Sequence, residues 1–111
     1  MARQIRESDW KTFRELRTLA LERFCQRVLD EVDRIRSQSD QSSHKRYLAI
    51  FKLLKRRDDE LAAAFNHPRR SVAIVQLARM QFYKLLDKEE FSQFSAEARA
   101  SVQGLIEMWQ S

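Results

Sequence analysis

Residues able to carry chemistry are few in this sequence, and their spacing does not favour it. The two histidines, His44 and His67, fall at opposite ends of one expected helix, roughly 35 Å apart at 1.5 Å per residue, so they cannot share a metal within one chain. No Glu-x-x-His or His-x-x-x-His spacing occurs, which removes the helical metal sites built on such pairs. Gly104 is the only glycine and lies inside the expected last helix, so no glycine-rich loop can cradle a phosphate. Cys25, the single cysteine, sits with Phe24 and Val28 on the apolar side of its helix and reads as a small core residue rather than a nucleophile. His67 beside Pro68 reads as a helix boundary rather than a base. The acidic triplet Asp58, Asp59 and Glu60 points in several directions around a helix and cannot chelate alone. No catalytic residue, metal site or cofactor is therefore expected, and the chain does not read as an enzyme.

Charge is the next resource. The formal net charge is +5, and it is regional: between His44 and Arg79 nine basic residues face three acids, which leaves the rest of the chain slightly acidic. Lys45, Lys52, Lys55 and Arg56 lie on one face of the second expected helix, while Arg69 and Arg70 open the third. Such a stripe attracts phosphates or an acidic partner, or it is simply a solvated helix face.

The stretch DDELAAAFNHPRRSVAIVQ, from Asp58 to Gln76, resembles a helix-turn-helix in its spacing. Leu61, Ala62 and Phe65 would pack inward from a first helix, Asn66 and His67 would turn, and Val72 and Val75 would pack inward from a second. The resemblance implies that Arg69, Arg70, Ala73 and Gln76 face outward, where Arg reads guanine and Gln reads adenine. Asn66 stands where the motif usually has Gly, and His67 where it usually has an apolar residue.

Two further features concern association and register. Phe91 and Phe94 belong to a short linking helix with little room to hide both, so an exposed pair there is a candidate interface, with homodimerisation one outcome. Arg17 and Asp58 each interrupt an otherwise apolar helix face. In an antiparallel hairpin Arg17 falls opposite about residue 62, which makes a partly buried Arg17–Asp58 ion pair a candidate for setting register.

The elements that must position all of these are helices. One Gly and one Pro in 111 residues leave too few turn residues for a β-sheet protein, and the rest is rich in helix formers. Apolar residues in steps of three and four predict helices over about 9–36, 43–65, 68–86 and 96–109, with a short one over about 88–93. Ser8 or Asp9, Asp87 with Glu90, and Ser95 supply helix-start signals. The third helix is apolar over most of its circumference and should sit centrally. The expectation is one all-α domain, a compact antiparallel bundle of four principal helices plus the short link. No apolar run spans a bilayer, the charged opening segment Met1–Arg6 does not lead into a secretory signal, and a lone cysteine forms no internal disulfide. A cytoplasmic protein–protein interaction or assembly module follows as the expectation, its partner another protein or a second copy, with nucleic-acid binding the alternative.

Overall fold

The polar connector between residues 37 and 42 folds the first half of the chain into a long hairpin, around which the rest is arranged. In the computed structural model, which describes residues 5–111, 79% of those residues are helical and none forms a strand. Residues 1–4, most of the charged opening segment, lie outside the described part. The helices are α1 (Glu7–Arg36), α2 (Ser43–Phe65), α3 (Ala73–Phe82), α4 (Lys88–Phe91) and α5 (Ala96–Gln110), with one 3-10 turn at Arg70–Val72. None is long and apolar enough to cross a membrane.

Each helix start has a local cause. Ser42 accepts the amide of Lys45, and Ser95 accepts that of Ala98. Asp87 and Glu90 form a reciprocal capping box on α4. Neither Ser8 nor Asp9 caps α1, which begins at Glu7 after Arg6 with no side-chain cap. Asp9 is instead buried, 3% exposed, and its carboxylate accepts both the amide and the hydroxyl of Ser95, 2.8 and 2.6 Å away. The acid near the positive end of α1 thus organises the start of α5, 86 residues later in the chain.

Helix ends are solved without glycine. The third helix stops at Phe82 rather than running to Leu86, because Lys84 adopts a left-handed conformation (φ 58°). The Leu85 amide then bonds the Met80 carbonyl and the Lys84 amide bonds that of Gln81, the paired pattern of a Schellman ending. His67 takes the other positive φ, 51°, just beyond α2. Arginines cover the carbonyls left over. Arg17 donates to the Phe65 carbonyl, Arg27 to those of Tyr83 and Lys84, and Arg46 to that of Arg36. Each is a cation placed at the negative pole of a helix.

These shortened elements decide the shape. At 1.5 Å per residue α1 is about 45 Å long and α3 only about 15 Å, so α3 can cover only part of the hairpin. It is the middle layer, packed on α1 and α2 on one side and on α5 on the other. The core at that end gathers Phe13, Phe24, Phe65, Leu77, Met80, Leu85 and Val102. The rest of the hairpin projects. Extents of 53 × 25 × 25 Å and a radius of gyration of 16.6 Å, against about 13 Å for a compact domain of this length, make the bundle elongated rather than compact.

Candidate protein-interaction surface

The projecting arm is where the apolar pattern has no cover. From Leu29 to Lys52 no residue is buried, although both helices are regular throughout. Leu29 is 57% exposed, Tyr47 65%, Phe51 56% and Leu54 46%. With Phe24, Cys25, Val28 and Leu61 these side chains line one open groove of about 680 Å³ along the hairpin, edged by Lys55, Arg57 and Asp58. Helix spacing explains the arrangement. Leu53 points directly at α1 and is buried, while Tyr47, Phe51, Leu54 and Leu61 are rotated off that contact onto one flank.

Beside that groove the contact between the two helices of the hairpin is ionic. Arg57 places Nε and one terminal nitrogen on the two oxygens of Glu31, at 3.1 and 3.0 Å, and its other nitrogen on Glu60 at 2.8 Å. The Arg57 hydrogen bond holds the Glu31 carboxyl below its usual range against the opposing effect of burial, and Glu31 in turn raises Arg57. Nearer the core, Arg23 grips Glu90 with two bonds of 2.6 and 2.9 Å and donates to the Leu85 carbonyl, tying α1 to the segment before α4. The hairpin is therefore clamped between its helices by Arg57 and left apolar along the groove.

The residues singled out from sequence are distributed differently from the expectation. Arg17 does not pair with Asp58. Its guanidinium donates to the Phe65 carbonyl at 2.6 Å and lies 5.9 Å from the Phe65 ring, while Asp58 is exposed beside the groove. The register argument placed Arg17 correctly near the end of α2, but the nearest acceptor there is a main-chain carbonyl that the helix cannot satisfy. Phe91 and Phe94 are not an exposed interface. Phe94 is 2% exposed, Phe91 is half-buried, and the rings meet at 6.2 Å against the core. The chain drops inward straight after α4, which buries Phe94 and covers part of Phe91.

The helix-turn-helix arrangement does not form as a reading head. Its first helix does not break near Asp58, since α2 is continuous from Ser43 to Phe65. Gln76 is 4% exposed and donates to the Asn66 carbonyl at 2.6 Å, and Ala73 is fully buried, so neither can touch a base. Arg69 and Arg70 are exposed, but Arg70 pairs with Glu7 at 2.6 Å and lies over Trp10. Lys45, Lys52 and Arg56 remain exposed on α2, and Lys52 and Arg56 line a second shallow groove with Arg34.

Cys25, expected in the core, is half-exposed on the wall of the apolar groove. Among the described residues no three His, Cys, Asp or Glu side chains gather as a metal site. Leu29, Phe51 and Leu54 are not marked as a surface by residue type or spacing, since apolar residues at helical steps read equally as core. The available signal was the mismatch between a 30-residue first helix and the shorter elements meant to cover it. No protein-family model matches this chain, and no curated protein or solved structure matches it either.

Proposed function

We propose that this chain is a non-catalytic helical interaction module whose working surface is the apolar flank of the α1–α2 arm. The observation that carries the reading is a 24-residue projection, Leu29 to Lys52, with no buried residue of its own, bearing large apolar side chains along one flank. Helical hairpins of this size gain little from backbone bonding alone, and ordering them is opposed by conformational entropy. An uncovered stripe of Leu, Tyr and Phe on such an arm is the pattern of a docking site, where aromatic and aliphatic anchors supply most of the binding energy.

The test is site-specific photo-cross-linking in cells that make the protein, with the reactive group at Phe51 on the apolar flank or at Lys45 on the polar side. The reading expects adducts from Phe51 and few from Lys45. Equal yields from the two sites, or none from Phe51, would end it. Nucleic-acid binding keeps in its favour the exposed Lys45, Lys52 and Arg56 with the neighbouring Arg34, and Arg69 apart from them. Salt-sensitive binding of mixed-sequence duplex DNA that weakens on Lys52→Ala/Arg56→Ala would move the working surface to that side.

A further inference from the structure

We infer that the occupant of the apolar groove is the same surface of a second copy, the two hairpins pairing about a two-fold axis into a four-helix layer. The inference rests on reading the arm as a docking surface and adds the identity of the partner. Along α2 the seam on the groove side reads Tyr47, Phe51, Leu54, Asp58, Leu61, in alternating steps of four and three, before Phe65 turns into the core. That is the spacing of a coiled-coil seam, in which apolar knobs enter the holes of a facing helix. The groove between α1 and α2 supplies such holes, walled by Cys25, Val28 and Leu29 on one side and Phe51, Leu54 and Leu61 on the other.

Charge selects the partner. Of the charged residues at the groove edge, Arg57 is held by Glu31 and Glu60, which leaves one free cation, Lys55, and one free anion, Asp58, three residues apart and without an ion-pair partner among the described residues. A surface with one charge of each sign is its own complement. An antiparallel two-fold axis beside residue 56 brings Lys55 against the partner's Asp58 and Asp58 against the partner's Lys55. The same axis sets Phe51 within one position of the partner's Leu61. A polar residue within an apolar seam fixes register and strand number, which is the role this pairing gives Asp58.

Area is consistent with a reversible contact. Taking roughly 200 Å² for each large side chain, the exposed parts of Leu29, Tyr47, Phe51 and Leu54 present about 450 Å² per copy. Two copies bury about 900 Å² from these residues alone, and Cys25 and Leu61 extend the contact toward the low end of specific interfaces, about 1,200 Å². A contact of that size belongs with weak, reversible associations, so monomer and dimer should interconvert with concentration.

The experiment is sedimentation velocity of the full chain over a concentration series, with circular dichroism to confirm folding of every variant. The mass should rise from 13.3 kDa toward twice that value. Lys55→Glu alone and Asp58→Lys alone should each weaken association roughly tenfold by setting like charges together, and the combined swap should restore it. Alkylation of Cys25 should slow as concentration rises. A chain that stays monomeric throughout overturns the self-pairing, as does a combined swap that associates no better than the single variants. If that monomeric chain still gives a Phe51 photo-adduct with a different protein, the docking surface stands and only the identity of its partner was wrong. Monomer with no Phe51 adduct removes both.

Discussion

Replacing Glu90 tests whether the clamp that ties α1 to α4 is energetically significant. Its carboxylate accepts three bonds: two from Arg23, at 2.6 and 2.9 Å, and one from the Asp87 amide at 2.9 Å. The capping half contributes about 1 kcal/mol. Two charge-assisted bonds would contribute more than that if buried, but the Arg23 side chain is 36% exposed, so solvent screening reduces the pair to about 1 kcal/mol. Glu90→Ala should thus cost about 2 kcal/mol, a fall of about 8 °C in Tm for a domain of this size. Glu90→Gln should cost about half as much, since an amide oxygen can still accept the Asp87 amide.

Acid supplies an independent check of the same clamp. The Arg23 hydrogen bond holds the Glu90 carboxyl below its ordinary range, so the folded state binds that proton more weakly than the unfolded chain. The stabilisation is therefore complete above the ordinary Glu pKa of about 4.3 and is lost as pH falls through the lower folded value. Thermal melts followed by circular dichroism should show the gap between parent and Glu90→Ala at about pH 7 and its narrowing toward about pH 3. Glu31, lowered in the same direction by Arg57, adds to the acid sensitivity of both proteins and cancels in the comparison. A Glu90→Ala protein that melts within about 2 °C of the parent at neutral pH would refute this assignment. A gap that does not change with acid would do the same.

Three other substitutions or measurements follow from particular geometry. Lys84→Gly should raise stability by about 0.5–1 kcal/mol in urea unfolding, because glycine takes the positive φ at the end of α3 without strain; a loss would contradict the left-handed ending. Gly104→Ala should add a similar amount, about 0.5–1 kcal/mol, since a Cβ there meets no atom within 4 Å and α5 gains a better helix former; thermal melts read it directly. Hydrogen exchange should find the amides of residues 29–52 opening faster than those of α3 in dilute solution, and slowing as concentration rises. Uniform protection along the hairpin at every concentration would deny that the arm lacks a core of its own.

The near-absence of glycine and proline, with apolar steps of three and four, was enough to specify helices, because those signals act within a few residues of each other along the chain. Asp87, Glu90 and Ser95 could be read as helix starts for the same reason. Helix ends were less legible. Lys84 ends α3 in a conformation usually left to glycine, and Arg17, Arg27 and Arg46 serve as caps by reaching carbonyls that no sequence pattern marks. Asp9 and Gln76 escaped for a related reason: both look like surface residues, and both are buried because one distant main-chain segment accepts or donates a bond there. Phe91, Phe94 and the Leu29–Phe51–Leu54 stripe show where local information stops. Periodicity states which side of a helix is apolar, and only the lengths and packing of the other helices decide whether anything lies against it. Here α4 is followed by an inward turn that hides Phe94 and part of Phe91, and α3 is too short to cover the hairpin, so burial and exposure were set by tertiary structure.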